Sequence, residues 1–168
     1  IMYSYYIPFI FLFVTFILSF QKKYYIVALV NLIASFMYLQ LIQNPSIKIR
    51  YIDWILTTPL LLYELSIIQN ITDIHTQIII QISNLLMFFF GYLGEIYTKY
   101  RLLFCVLAFI PLCIIFYLLY VPTFFYFYFL VLWTAYGIVY LLPKKRSLLY
   151  NLLDIFSKSI FGLLYIYL

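Results

Sequence analysis

Long runs of apolar residues, separated by short polar clusters, dominate this chain. There are seven runs, and each has the length of about 20 residues that a helix needs to cross the hydrocarbon core of a bilayer. Because hydropathy is continuous within the runs and does not alternate, helices are favoured over the strands of a membrane barrel. The pattern predicts seven transmembrane helices, over residues 2–20, 24–42, 48–68, 76–95, 102–120, 124–142 and 147–168.

Composition supports the same assignment. Of the 168 residues, 68% are hydrophobic and only 9% are charged, which leaves too few polar side chains to cover a soluble core. We therefore expect an integral, multi-pass membrane protein in a lipid bilayer. The short polar clusters leave no room for a second unit, so we expect a single all-α domain over residues 1–168. No nucleic-acid partner, metal site or enzymatic activity is expected.

Ionisable residues within the apolar runs carry the most information about function. Charge at bilayer depth is costly, so such residues usually face a helix-bundle interior or an aqueous cavity and mark a proton or ion path. Structural salt bridges are the alternative interpretation. The residues concerned are Arg50, Asp53, Glu64, Asp154 and Lys158.

Four polar residues of the third run share one helix face. At about 100° per residue, Thr57 lies about 40° from Asp53, and Glu64 returns to within about 20° of it. Helical rise places Glu64 about 16 Å along the axis from Asp53. Two carboxyl groups at different depths on one face predict a proton relay. Arg50, on the same face towards the opposite mouth, is expected to balance the charge of Asp53.

The last run combines an acid and an amine. Asp154 and Lys158 are four residues apart, so they lie on one face of a helix. The chemistry that most often requires a buried lysine amine is a Schiff base with a carbonyl compound. Asp53 and Asp154 are then the anions available to balance a protonated imine. A plain ion pair between Lys158 and Asp154 is the alternative.

Aromatic side chains could supply a binding pocket. Trp133, Tyr136 and Tyr140 have spacings of three and four, which makes one helical stripe, and Trp54 follows Asp53 directly. Flat rings on facing helices could enclose a conjugated apolar ligand attached to Lys158. A stripe of this kind is also typical of helix-bundle cores.

Several of these segments together resemble the microbial (type 1) rhodopsins. Arg50-Tyr51-x-Asp53-Trp54-x-x-Thr57-Thr58-Pro59-Leu60 resembles their third helix, and Leu153-Asp154-x-x-Ser157-Lys158-x-x-Phe161-Gly162 resembles their seventh. Weaker matches, in the order of the family, are Met37-Tyr38, Met87-x-x-x-Gly91-x-x-Gly94 and Trp133-Thr134-Ala135-Tyr136. The Asp, Thr, Glu triplet is similar to that of proteorhodopsins.

The resemblance implies a seven-helix bundle that holds all-trans retinal on Lys158 as a protonated Schiff base. It implies Asp53 as the primary proton acceptor, Asp154 as the second counterion and Arg50 as the gate of the exit. Thr57 would hydrogen-bond Asp53, and Glu64 would be the proton donor. The implied retinal pocket consists of Met37, Tyr38, Trp54, Thr58, Leu61, Met87, Gly91, Trp133, Tyr136 and Tyr140.

Two positions depart from the family pattern. Gly137 stands where the sixth helix usually has a proline, and Cys105 occupies a place often held by a tryptophan beneath the retinal ring. A looser pocket is expected there.

Three functions are compatible with such a chromophore. A light-driven proton pump is favoured, because Asp53 and Glu64 lie at acceptor and donor depths. A light-gated cation channel is the alternative, although residues 1–47 contain no acidic side chain of the kind that lines such pores. A photosensor is third, because sensors tend to lack the donor carboxyl group.

The sequence also bears on the direction of pumping, the oligomeric state and the source organism. Pumping would be outward in the family's usual orientation, whereas the distribution of basic residues favours the reverse orientation under the positive-inside rule. By resemblance, a homo-oligomer is expected, either a trimer or a pentamer. The heavy use of Ile, Tyr, Phe and Asn predicts an AT-rich genome, as in a virus or a protist.

Overall fold

The computed structural model describes residues 2–142 and 146–168, with the side chains of residues 2 and 3 left out. Helices account for nearly all of these residues, and no strand occurs among them. The helices are α1 (Tyr6–Gln21), α2 (Tyr25–Gln43), α3 (Ile47–Ile68), α4 (Ile74–Ile96), α5 (Arg101–Leu118), α6 (Phe124–Leu141) and α7 (Arg146–Tyr167).

The predicted all-α, seven-helix, multi-pass architecture is confirmed. Six of the helices are long and apolar enough to cross a bilayer, and α1 is a shorter apolar helix. The first predicted run began at residue 2, whereas Met2–Tyr5 forms a 3₁₀ turn ahead of α1. Large apolar side chains such as Ile10, Ile79 and Val131 are exposed along the helices, as expected of surfaces that face lipid.

The described residues form two compact units. The first contains residues 2–61 and 146–168, and therefore α1, α2, most of α3 and α7. Within it, a buried hydrogen bond of 2.6 Å joins the hydroxyl oxygens of Thr15 in α1 and Ser159 in α7. The Cβ of any residue replacing Gly162 would lie 2.5 Å from a methyl carbon of Val27, so α7 approaches α2 closely at this point.

The second unit contains residues 62–142, with the end of α3 and helices α4, α5 and α6. Buried Gln69, near the end of α3, donates from Nε2 to the hydroxyl of Thr123 over 2.7 Å. Thr123 also accepts a hydrogen bond from the backbone N–H of Tyr126, which caps the start of α6. The Thr123 side chain therefore caps the start of α6 and links it to the end of α3.

Helix α7 is not α-helical throughout. Residues Ile155–Ile160 form a π-helical turn between α-helical segments Arg146–Asp154 and Phe161–Tyr167. Short π turns are rare and are frequent at functional sites. Lys158 lies inside this turn.

Two helices end without the glycine that such ends favour. After α1, the backbone N–H of Tyr24 bonds the carbonyl of Ser19, and Lys23 has φ 67°. After α3, Ile71 bonds Ser66 in the same way, and Asn70 has φ 57°. Both are Schellman motifs, in which the residue with positive φ is usually glycine and sometimes asparagine.

The start of α4 is capped by an exposed aspartate. Asp73 accepts hydrogen bonds from the side chain of Thr76 over 2.6 Å and from its backbone N–H over 2.7 Å. These bonds lower the pKa of Asp73 below its ordinary value, because they favour the charged carboxylate.

Replacing Lys23 by glycine is expected to stabilise the protein. A left-handed backbone costs a side-chain-bearing residue about 1 kcal/mol, whereas glycine adopts it freely. Lys23→Gly should therefore raise the melting temperature of the purified protein. The control is Lys22→Gly, because Lys22 has an ordinary φ of −84° and glycine there only adds freedom to the unfolded chain. Equal destabilisation by both variants would contradict this account.

Candidate functional site

Two buried cations and two buried carboxylates form the centre of the first unit. Lys158 Nζ lies 2.5 Å from Asp53 Oδ2 and 3.5 Å from Asp154 Oδ1. Arg50 Nη1 lies 3.3 Å from Asp154 Oδ2. None of the four side chains is more than 3% exposed. Because an isolated charge is unstable at this depth, the cluster is stable only as a balanced set.

Asp154 is the more fully coordinated carboxylate. Its Oδ2 accepts hydrogen bonds from Tyr38 Oη at 2.7 Å and from Arg50 Nη1. Its Oδ1 accepts one from Trp54 Nε1 at 3.0 Å, and Lys158 lies beside the same atom. Donors from three different helices therefore hold this carboxylate in place.

Asp53 has a different environment. Its Oδ2 accepts a hydrogen bond from Lys158, while its buried Oδ1 accepts none from the side chains and backbone that the structure describes. A proton can therefore be placed on Asp53 without displacing a donor. On Asp154 it would have to compete with donors already present at both oxygens.

The arginine contacts a different carboxylate from the one expected. The sequence predicted that Arg50 would balance Asp53, one turn along the same helix, but its ion-pair partner is Asp154 on α7. The guanidinium also donates from Nη2 to Asn151 and to both oxygens of Ser147. These acceptors lie across from α3, and together they direct the guanidinium towards α7.

Aromatic rings surround the same guanidinium. Its central carbon lies 5.5 Å from the ring centre of Tyr5 and 5.7 Å from those of Tyr38 and Tyr150. Ring faces attract cations most strongly where water is excluded. Arg50 is thus held by anionic, polar and aromatic groups at once.

The first unit contains six other predicted residues. Thr57 donates to the backbone carbonyl of Asp53 over 2.8 Å, so the predicted hydrogen bond exists but reaches the main chain. Thr58 and Leu61 are buried on α3, and Met37 is half-buried on α2. Tyr38 and Trp54, predicted as pocket residues, both donate to Asp154.

The second unit contains the remaining predicted residues. Tyr140 donates to the carbonyl of Gly91 over 2.9 Å, which brings two of them together. A Cβ at Gly94 would lie 1.9 Å from the Tyr140 hydroxyl, so a larger residue there would have to displace the Tyr140 side chain. Trp133 is buried among edge-on aromatic neighbours, while Tyr136 and Met87 are half-buried. Glu64, on the part of α3 in this unit, is 3% exposed.

The two positions that depart from the family pattern contact each other. Cys105 is buried, and its sulfur lies 3.9 Å from the carbonyl of Gly137. A Cβ at Gly137 would fall 2.5 Å from ring carbons of Phe109. The ring of Phe109 therefore fills the space that a larger residue at position 137 would occupy.

Four contributors to the centre, Tyr5, Ser147, Tyr150 and Asn151, were absent from the predicted site. Ser147, Asn151, Asp154 and Lys158 follow one another at spacings of four, three and four residues, so they lie on a single helical stripe. That spacing could have identified Ser147 and Asn151. Tyr5 carries no such signal, because it lies in the 3₁₀ turn ahead of α1 and reaches the site only through the fold.

Comparison with known proteins decides the family. The family described as Bacteriorhodopsin-like protein matches residues 5–168, nearly the whole chain. The chain belongs to the bacteriorhodopsin-like family. No curated protein matches this rhodopsin.

Solved structures agree with this assignment. The crystal structure of the viral rhodopsin OLPVRII has a TM-score of 0.90 and 27% sequence identity, covering 98% of this chain and 95% of that one. A blue light-absorbing proteorhodopsin from Med12 has a TM-score of 0.87 and 22% identity, covering 98% and 93%. The light-driven proton pump CsR of Coccomyxa subellipsoidea has a TM-score of 0.89 and 21% identity, covering 98% and 95%. At their lower identity, the last two show a shared fold.

The donor set of this rhodopsin fits the cofactor of its family. Members of the family bind retinal, typically through a lysine. Lys158 supplies a primary amine that is 1% exposed, and two carboxylates lie within 3.5 Å of it. A cation formed at this nitrogen would be balanced, and water would not reach it freely. The residues thus meet the requirements of a retinal linkage.

Loss of the Tyr38 hydroxyl is expected to destabilise this rhodopsin more than loss of an ordinary buried hydroxyl. A hydrogen bond to a charged acceptor contributes about 1.5–3 kcal/mol, against about 0.5–1.5 kcal/mol for a neutral one. Tyr38→Phe removes a donor to a carboxylate. The matched control, Tyr126→Phe, removes a buried donor to the carbonyl of Phe116. Equilibrium unfolding in mixed micelles would measure both, and a smaller loss for Tyr38→Phe would exclude the proposed role of its hydroxyl.

Proposed function

We propose that this rhodopsin is a light-driven proton pump with all-trans retinal attached to Lys158. The observation that carries the proposal is the unequal coordination of the two carboxylates beside the lysine nitrogen. Asp154 accepts donors at both oxygens, whereas Asp53 has one oxygen bonded to Lys158 and one without a partner among the described residues. A pump needs one carboxylate that remains charged and another that exchanges a proton.

Retinal, when bound, would absorb visible light and isomerise, which supplies the energy for transport. The amine nitrogen of Lys158 holds the proton that is moved. Asp53 is the acceptor, because its Oδ2 lies within 2.5 Å of that nitrogen and its other oxygen can take a proton without losing a donor. Direct transfer over a hydrogen bond requires a separation of this size.

Asp154 and Arg50 keep the charge of the site steady during transfer. Asp154 stays ionised as the second counterion because its donors remain in place. When Asp53 becomes neutral, the attraction that this carboxylate exerts on nearby cations disappears. Arg50 would then shift towards the start of α3, which is the gating role proposed for it.

Glu64 is the proposed donor that returns a proton to the Lys158 nitrogen. It is buried, and it lies eleven residues beyond Asp53 on the same helix. A carboxyl group removed from water can hold a proton until the lysine nitrogen requires one. Thr57 would support Asp53 by fixing the backbone turn that carries it.

The residues proposed to contact retinal are those that the family resemblance implies. They are predominantly apolar or aromatic, as expected of a site for a conjugated hydrocarbon. They are Met37, Tyr38, Trp54, Thr58, Leu61, Met87, Gly91, Trp133, Tyr136 and Tyr140.

Formation of a visible pigment tests the attachment site. Protein expressed with all-trans retinal should show a visible absorption band, and Lys158→Ala should abolish that band. Lys99→Ala, at an exposed lysine between α4 and α5, is the control and should leave it unchanged. A band that survives Lys158→Ala would overturn the proposed attachment.

Voltage clamp distinguishes a pump, which drives ions actively, from a channel, which conducts them passively. A pump produces current of one sign at zero driving force, whereas the current of a channel reverses with the ion gradient. Asp53→Asn should abolish the photocurrent, and Glu64→Gln should slow recovery about 100-fold, the scale of losing a positioned proton donor. Asp73→Asn, at an exposed carboxylate, is the control. Unchanged recovery in Glu64→Gln would remove Glu64 from the mechanism.

A further inference from the structure

A cavity of about 200 Å³ lies next to the buried charges of the first unit. It adjoins Arg50 on the side of the guanidinium where Ser147 lies, and it extends to the first residues of two helices. The cavity can hold a small ion together with water molecules. Its lining residues are Tyr5, Pro45, Ser46, Ile47, Arg50, Arg146, Ser147 and Tyr150.

The lining has a marked positive character. Two arginines contribute to it, and none of its eight residues is acidic. Guanidinium groups present several N–H donors in a fixed plane, which suits them to bind anions. The two acidic residues of the first unit, Asp53 and Asp154, lie in the buried centre and are not part of the lining.

The backbone adds to this character. Helix α3 begins at Ile47, the described part of α7 begins at Arg146, and both residues line the cavity. The first turn of a helix has N–H groups without intrahelical partners and carries the positive end of the helix dipole. The N–H of Lys48 already donates to the hydroxyl of Ser46 over 3.3 Å, so α3 contributes the positive end of its dipole, which together with the two guanidinium groups favours a bound anion.

Hydroxyl groups complete the set of donors. The hydroxyl oxygens of Tyr5 and Ser147 are 2.7 Å apart, and either can donate to the other. Ser147 also accepts a hydrogen bond from Arg50 Nη2 at 3.1 Å. The hydroxyl of Tyr5, when released from Ser147, can turn towards an anion that already contacts the guanidinium of Arg50.

We propose that this cavity is a binding site for a small inorganic anion, held between Arg50 and Arg146 at the beginnings of α3 and α7. The anion would balance the positive charge of Arg146, because Asp154 already pairs with Arg50. The site is separate from the proton path through Asp53, and it does not depend on the direction or existence of transport. Free chloride and a lipid phosphate group share the chemistry that the cavity recognises, and the proposal assigns the site to the free ion.

Chloride binding to the retinal-loaded protein in the dark tests the proposal. The protein is placed in nanodiscs of phosphatidylcholine, which has no net charge, and chloride replaces gluconate at constant ionic strength. A saturable broadening of the ³⁵Cl resonance and a matching rise in melting temperature are expected. Absence of saturation in both measurements would overturn the proposal.

Variants at two basic residues locate the site. Arg146→Gln should weaken chloride binding about tenfold, the effect of losing one charge-assisted hydrogen bond, whereas Arg146→Lys should retain part of the affinity. Lys48→Gln is the matched control, because it removes one positive charge from the same end of α3 at a residue outside the lining. An equal loss in Lys48→Gln and Arg146→Gln would indicate a diffuse surface effect and would overturn the assignment.

Two further comparisons keep the test decisive. The melting temperatures of the variants in gluconate show whether each one folds, so that loss of binding is separated from loss of structure. Nanodiscs that contain anionic phosphatidylglycerol distinguish the two sources of anion. Stabilisation by the anionic lipid, with no effect of chloride in phosphatidylcholine, would assign the cavity to a lipid headgroup and overturn the proposal.

Discussion

Compensation of buried charge is the constraint on which the centre of this protein depends. Arg50 and Lys158 bring two positive charges into an apolar environment, and Asp53 and Asp154 bring two negative ones. Removing any one of them leaves a net charge that cannot reach water, and this is far less favourable than losing a neutral contact. Helices α3 and α7 each supply one cation and one anion, so their register relative to each other is fixed by electrostatics as well as by packing.

Equal numbers of charges do not make the two carboxylates equivalent. The side chains around Asp154, from α2, α3 and α7, are arranged as donors, whereas Asp53 depends on the lysine amine. The difference results from position along the helices. Asp154 faces Tyr38, Arg50 and Trp54, while Asp53 has Thr57 bonded to its backbone instead of its carboxylate. The contacts therefore distinguish a carboxylate with donors at both oxygens from one with a donor at a single oxygen.

Much of this arrangement could be predicted from sequence, because a bilayer imposes helix length and makes each buried charge informative. Helices α2, α3 and α6 begin and end within a residue of the predicted spans, and the ionisable residues were recognised by their rarity. The partner of Arg50 was not predicted, since helical periodicity describes neighbours on one helix and not those across from it. The π-helical turn at Lys158 was also missed, because Ile155–Ile160 contains no glycine or proline to mark it. The contact of Phe109 with Gly137 depends on how α5 and α6 approach, which periodicity does not determine.

The short 3₁₀ turn ahead of α1 shields the buried arginine from water. Ser4 accepts a hydrogen bond from Asn151 through its carbonyl, and Tyr5 covers one side of Arg50. The 3₁₀ turn thus insulates the charge cluster on one side. Removing this turn would admit water to the arginine, so the electrostatics of the interior constrain a segment that hydropathy placed at the start of the first membrane span.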